Sequence, residues 1–204
     1  MNTINIMKYF KYFAYLAILS SWITILISIH YNPWFNLARN PLSDLGGGNL
    51  LYGHPSPKYP FIYNFGMIMT GSFMILFGTY IIYISRNKIE NSGGTIFSIS
   101  GLFLILIGIY HEGTYPHDFV SIWFFIIASI SIFFIGISIL TIKNYKYGLT
   151  LTLLPIISWL IYAIFNIKSG AEGEIFGILV IQTSVLLYLS NVNRYRSNKE
   201  INIY

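Results

Sequence analysis

Long apolar stretches alternate with short polar gaps along the whole chain. Six such stretches occupy residues 9–31, 61–84, 95–111, 118–142, 149–166 and 173–190. Each is continuously apolar, whereas a strand of a membrane barrel would alternate apolar and polar residues over about 10 positions. A helix needs about 20 apolar residues to cross about 30 Å of hydrocarbon. The pattern therefore predicts an all-α polytopic membrane protein, a six-helix bundle that forms a single membrane domain over residues 1–204.

Basic and acidic residues fall in alternate gaps. The two tails and the second and fourth gaps hold most of the basic residues: Lys8, Lys11, Arg86, Lys88, Lys143, Lys146, Arg194, Arg196 and Lys199. The other gaps hold all the histidines and most of the acids: His30, His54, His111, His117, Asp44, Glu112, Asp118, Glu172 and Glu174. Lys and Arg collect on the cytoplasmic side of a membrane. We therefore expect both termini in the cytoplasm and the histidine-bearing side outside the plasma membrane.

Composition agrees with the membrane prediction. The chain is 55% hydrophobic and only 9% charged, with a mean hydropathy of +0.63, so it has too little charge to cover a soluble globule of this size. The pI of about 9.3 comes mainly from the cytoplasmic rim, where basic side chains meet anionic headgroups. Nucleic acid is therefore not an expected partner. The absence of cysteine excludes disulfides, thiolate metal sites and cysteine nucleophiles.

The longest gap, residues 32–60, is not an ordinary hydrophilic loop. Pro33 and Pro41 interrupt helices, and Trp34 and Phe35 favour the headgroup zone of a membrane. Further leucines follow at near-helical spacing. The pattern predicts an interfacial or re-entrant outer segment.

Polar side chains from four parts of the chain are expected to meet at the outer surface. The 32–60 segment must return to the surface at which the second helix begins. The connection between the third and fourth predicted helices is short, so its polar residues lie close to the helix ends. The sixth helix begins at the same surface. We therefore expect one outer polar cluster, which consists of Ser43, Asp44, Asn64, His111, Glu112, His117 and Glu174.

These residues also carry a family resemblance. The runs 40–46 (NPLSDLG), 61–64 (FIYN) and 170–174 (GAEGE), together with His117 at the start of the fourth helix, resemble the family of prokaryotic and archaeal membrane proteins known as domain of unknown function 998. The similarity covers nearly the whole chain. It implies a six-helix architecture in an archaeal or bacterial plasma membrane, and it implies no particular reaction.

One hypothesis for the cluster is a hydrolase-like centre in which Ser43, Asp44 and His117 are catalytic. In its metal-dependent form, His111, His117 and Asp44 bind a divalent ion such as zinc, since imidazole and carboxylate are good zinc ligands. Ser43 or a zinc-bound water would then attack a lipid ester or amide. No haem, flavin or nucleotide-binding motif is present in the sequence, and the cofactor is left open.

Two further hypotheses need no catalysis. In the first, Asn64, Glu112 and Glu174 bind a lipid headgroup, a cation or a proton, as in a lipid-binding protein or a small transporter, because ionisable groups near membrane depth are costly and usually functional. In the second, the bundle is a non-catalytic subunit or scaffold that assembles with other membrane proteins. Binding or modification of membrane lipids ranks slightly first, because every histidine and most acids lie on one side.

The charge pattern makes a testable prediction about topology. Single cysteines introduced at Ser92 and Ser56 should react with a membrane-impermeant thiol reagent from opposite faces of sealed vesicles, since native cysteines are absent. Labelling of both positions from the same face would contradict the predicted orientation.

Overall fold

The computed structural model describes residues 6–48, 53–165 and 169–201, with side chains described as far as residue 195. Within these ranges the chain forms six long helices and no strand: α1 Tyr12–Tyr31, α2 Pro60–Ile84, α3 Lys88–Ile109, α4 His117–Thr141, α5 Tyr145–Ile164 and α6 Gly170–Ile201. A 3₁₀ turn, Lys8–Lys11, leads into α1, and a second, Leu42–Leu45, lies between α1 and α2. All six helices are long and apolar enough to cross a membrane. The predicted six-helix bundle is confirmed.

Three helix boundaries differ from those predicted. Helix α3 begins at Lys88, seven positions before residue 95, because the Asn87 side chain accepts a hydrogen bond from the Glu90 N–H at 2.9 Å and caps the helix. Helix α6 continues past the apolar stretch to Ile201, and α5 begins at Tyr145. Apolarity alone therefore underestimated how far helices extend beyond their spanning parts. The predicted end of α5 at 166 lies outside the described residues.

Helices α2 and α3 approach each other closely along a face of glycines. A Cβ added to Gly71 would lie 2.5 Å from the carbonyl oxygen of Gly101, and one added to Gly108 would lie 2.3 Å from the carbonyl oxygen of Asn64. Gly78 faces the Ser98 side chain in the same way. These faces of small residues are therefore packing surfaces, as in other membrane bundles.

Helix α5 is peripheral. It packs against α4 and α6 but is the least buried of the six spans, and Trp159 and Tyr162 on it are 40% and 49% exposed. Helices α4 and α6 make few direct contacts with each other. This side of the bundle is consequently the least tightly closed.

The Leu42–Leu45 turn is buried among the helix ends. Its four residues have at most 4% exposure, and the backbone of Ala171, in the first turn of α6, donates to the Asn40 carbonyl at 3.2 Å. The turn thus belongs to the bundle core at what we call the outer end, where α1, α3 and α5 end and α2, α4 and α6 begin. The depth of the 32–60 segment in a bilayer stays a prediction, and residues 49–52 within it lie outside the described part.

A buried ion pair closes the opposite, inner end. Glu90 is fully buried, with 0% exposure, and accepts hydrogen bonds from the Arg86 guanidinium at 2.6 and 2.9 Å and from the Tyr188 hydroxyl at 2.9 Å. Arg86 also donates to the Asn191 side chain at 2.8 Å. The pair therefore joins the α2–α3 connection to α6, a link that the sequence analysis did not predict.

This inner cluster generates a graded stability prediction. Glu90→Gln leaves a partly buried guanidinium without its counter-charge and should destabilise the fold by about 3–5 kcal/mol. Tyr188→Phe removes one hydrogen bond from the same carboxylate and should cost only about 1 kcal/mol. Thermal unfolding in detergent measures both. Equal effects of the two substitutions would show that the ion pair adds nothing beyond the hydrogen bond.

Candidate functional site

The Glu112 carboxylate is the centre of the outer polar cluster. Its Oε2 atom accepts a hydrogen bond from Ser43 Oγ at 2.5 Å and lies 2.9 Å from His117 Nε2. Its Oε1 atom accepts from the Gly113 N–H at 3.3 Å. Ser43, Glu112 and His117 are each buried. One carboxylate thus joins the 3₁₀ turn, the α3–α4 connection and α4. Ser43 and His117, which were predicted to lie close together, both contact the same oxygen of Glu112.

Hydrogen bonding defines the protonation of His117. Its Nδ1 atom lies 2.6 Å from the Tyr110 carbonyl oxygen, which can only accept, so Nδ1 carries a proton. Its Nε2 atom faces the Glu112 carboxylate, so this nitrogen also carries a proton in an ion pair. Neither ring nitrogen is then left to accept a proton from Ser43. His117 holds the cluster together as a cation.

The environment of Glu112 favours its ionised form. Burial alone would raise the pKa of the carboxyl, but the hydrogen bonds from His117 and Ser43 and the charge of His117 outweigh it and lower the pKa from 4.5 to about 2. A carboxylate with so low a pKa is a weak base, and it does not activate the Ser43 hydroxyl as a nucleophile.

Asp44 turns away from Ser43 and has its own partners. Its Oδ2 atom accepts from Asn40 Nδ2 at 2.9 Å, and its Oδ1 atom lies 3.2 Å from His54 Nε2. Oδ1 and Nε2 otherwise lack a hydrogen-bond partner, so this is a charge contact without good alignment. The His54 ring stacks on Trp34, with centroids 4.7 Å apart. Burial raises the pKa of Asp44, opposed by Asn40 and His54.

Asn64 anchors the same segment to α2. Its Nδ2 atom donates to the Gly46 carbonyl at 3.0 Å, and a Cβ at Gly46 would lie 2.3 Å from Asn64 Oδ1. A Cβ at Gly47 would lie 2.5 Å from the Glu112 carbonyl oxygen. The first two glycines after the turn are therefore required by close approach, and the contact made by Asn64 is with the backbone.

Glu174, near the start of α6, points back to the buried turn. Its Oε2 atom accepts a hydrogen bond from the Leu42 N–H at 2.5 Å. The charges of Asp44, Glu112 and His117 act on the Glu174 carboxyl group. Glu174 therefore belongs to the predicted cluster in space. The structure therefore brings Ser43, Glu112, His117 and Glu174 together directly or through one neighbour.

The predicted metal ligands are not assembled. His111 is exposed, with Nδ1 3.0 Å from the Glu112 carbonyl oxygen, while His117 and Asp44 are paired with Glu112 and His54. Among the described residues, no group of three or more His, Asp or Glu side chains could hold a metal ion. The predicted ligands His111, His117 and Asp44 do not converge on one point, because each of these side chains has a different partner.

An apolar cavity runs from this cluster into the bundle. It is narrow, with a cavity volume of about 90 Å³. Ser43, Ser121 and Glu174 line its outer end, and Phe77 and Phe97 line its inner end. Most of its other walls are aliphatic or aromatic side chains of α1, α2, α3, α4 and α6. Sequence reasoning missed this cavity, since only the packed helices define it.

A second cavity opens between α4, α5 and α6. Its volume is about 430 Å³, and it is lined by Trp159 and Tyr162 of peripheral α5 and by Gly173 and Gly177 of α6. Four residues line both cavities: Ser121, Phe125, Glu174 and Ile181. The internal cavity is therefore adjacent to a groove on the flank of the bundle.

The six candidate spans and the apolar bundle make this a multi-pass membrane protein. The chain belongs to the family described as Protein of unknown function (DUF998), whose model matches residues 15–190. Neither a curated protein nor a solved structure matches the chain. The family match confirms the resemblance noted in the sequence. Because the family has no known function, the function must be inferred from the site.

The low pKa of Glu112 predicts acid sensitivity of the fold. Because folding lowers this pKa from 4.5 to about 2, the ionised carboxylate stabilises the protein fully above pH 4.5, and the stabilisation is lost as the pH falls towards 2. The loss should reach roughly 3 kcal/mol. Glu112→Gln should remove this pH-dependent component from thermal unfolding measured over that range.

A matched control uses the exposed Asp118 in the first turn of α4. Asp118→Asn removes the same charge six residues away and should keep the acid dependence of the wild type. If Glu112→Gln also keeps it, Glu112 does not form the inferred ion pair.

Proposed function

We propose that the protein binds a membrane lipid, with one acyl chain in the internal cavity and the headgroup at the outer polar cluster. The observation that carries the proposal is the contact between two cavities. The internal apolar cavity shares Ser121, Phe125, Glu174 and Ile181 with the groove between α4, α5 and α6. Lipid can thus enter sideways from the bilayer without crossing the polar cluster.

The length of the internal cavity matches that of one acyl chain. On α1 its lining extends from Ala14 to Ile25, and on α6 from Glu174 to Val185, which is a rise of roughly 16 Å on each helix. Half of a typical hydrocarbon core is roughly 15 Å. The cavity therefore has about the depth of one leaflet.

The cavity walls also match the two parts of a lipid: they are mainly apolar inside the bundle, where the tail would lie, and polar at the outer end, where the headgroup would lie. Midway along the cavity, Ser21 accepts a hydrogen bond from Gln182 at 3.0 Å, and Gln182 accepts from Trp22 at 2.8 Å. These side chains satisfy one another, so an apolar tail can pass them. Among the described lining residues, the carboxyl side chain is that of Glu174 at the outer end.

Binding is better supported than hydrolysis. Ser43 donates to a carboxylate of low pKa, and both nitrogens of His117 act as donors. This arrangement lacks the proton acceptor that a serine nucleophile needs. The charge pattern of the sequence supports an outward-facing headgroup site in the outer leaflet of a plasma membrane.

A substitution that fills the cavity tests the proposal. Ala17 is 8% exposed and lines the cavity, whereas the adjacent Leu16 is 41% exposed on the bundle surface. Ala17→Phe should abolish retention of lipid by the purified protein, because the added ring occupies the space of the acyl chain. Leu16→Phe places the same ring on the surface and should leave lipid retention unchanged.

Native mass spectrometry of the folded, monodisperse fractions measures the retained lipid. Absence of lipid from the wild type after gentle extraction, or equal retention by both variants, would contradict the proposal. Overpacking at Ala17 costs roughly 1–3 kcal/mol, so thermal unfolding is recorded beside each measurement.

A further inference from the structure

The charges around the outer end of the cavity are unevenly distributed. Three carboxyl groups approach it, those of Asp44, Glu112 and Glu174, and the basic side chains among them are the imidazoles of His54 and His117. In the described part of the chain, neither cavity is lined by a Lys or Arg side chain. Both histidines already face a carboxylate of their own, Asp44 and Glu112. Glu174 therefore lacks a basic partner from the described residues.

One oxygen of Glu174 is uncommitted. Oε2 accepts the Leu42 N–H, while no described residue donates a hydrogen bond to Oε1. The side chain lines both the internal cavity and the lateral groove, so a ligand can reach it from either. Burial of a carboxyl group in apolar surroundings costs free energy unless the group is paired. The Oε1 atom of Glu174 can therefore accept a hydrogen bond from a ligand.

The first turn of α6, the helix that carries Glu174, does not offer a site for an anion. In α6 the first backbone N–H groups are already used: Ala171 donates to Asn40, Glu172 to Ser169 Oγ and Gly173 to the Ser169 carbonyl. In α4 the His117 N–H donates to the Thr114 carbonyl. An anionic headgroup would find no uncommitted cation among the described residues and none of these amides free, and it would lie beside acidic side chains.

We propose that the headgroup recognised at this site is a protonated amine, bound by Glu174. The inference deepens the proposed lipid-binding function and rests on it. A primary ammonium has three N–H donors, and three acceptors surround the cavity mouth: Glu174 Oε1, Ser43 Oγ and Ser121 Oγ. Ser43 gives its own proton to Glu112, so its lone pairs are left for a ligand. Ser121 Oγ lies 3.3 Å from the protonated His117 Nε2 and also keeps acceptor capacity.

Chain-matched probes test the headgroup. Octadecylamine, octadecanoic acid and octadecyl phosphate compete with a fluorescent lipid on the full-length protein in micelles of an uncharged detergent at neutral pH. The wild type should bind the amine at least about tenfold more tightly than either anion, as expected for a charge-assisted hydrogen bond inside an apolar site. Glu174→Gln should abolish this preference.

Two further variants make the result specific. Glu172→Gln removes the same charge at an exposed position of the same helical turn and should keep the preference for the amine. Ser121→Ala removes one acceptor without changing charge, and it should weaken amine binding several-fold while leaving the affinity for the acid unchanged. It serves as the second test if Glu174→Gln does not fold.

The outcomes separate this inference from the function on which it rests. Equal or tighter binding of either anion overturns the amine assignment while lipid binding stands, and so does an amine preference that survives in Glu174→Gln. If none of the three probes displaces the fluorescent lipid and Ala17→Phe behaves as the wild type, both proposals fail. An amine preference lost only in Glu174→Gln and reduced in Ser121→Ala supports the inference.

Discussion

Burial of the Glu112 carboxylate between Ser43 and His117 is the interaction on which the outer end of the bundle depends. A charge in apolar surroundings is costly unless it is paired and hydrogen-bonded, and here both partners come from other elements. The pair therefore stabilises the Leu42–Leu45 turn against the ends of α3 and α4. The Leu42 N–H of this 3₁₀ turn then donates a hydrogen bond to Glu174. Without the carboxylate, the 32–60 segment would lose its link to α3 and α4 and would keep those to Asn64 and Glu174.

The interior is organised by the same constraint. At the inner end Glu90 is paired with Arg86, and at the outer end Glu112 is paired with His117. Between the two ends the polar side chains bond to one another, as Ser20 does with Thr70 at 2.8 Å. Glu174 differs from these two carboxylates, since it has one backbone partner and lies on two cavities. An ionisable group that is only half satisfied beside an open space is a strong indication of a ligand site.

Much of the architecture could be predicted from the sequence because it depends on local properties. Continuous apolarity defines the spans, and the short α3–α4 connection places Glu112 near His117 whatever the packing. The pairing of Asp44 with His54 could not be predicted, because it depends on how the long 32–60 segment folds. The same holds for the contact of Glu90 with Tyr188, which joins distant helices. The predicted metal ligands do not meet for a related reason: proximity of acids and histidines in sequence does not show which of them pair with each other.

The cavity is the feature that the sequence predicts least. Its walls come from five helices, and its opening depends on the peripheral position of α5. A density map of the protein purified in a mild detergent from its own membrane tests the account most directly. We expect elongated density in the cavity from Glu174 to Phe77, with a compact end within hydrogen-bond distance of Glu174. A cavity closed by side chains from α1, α2 and α6, with Glu174 paired to a protein cation, would contradict the account.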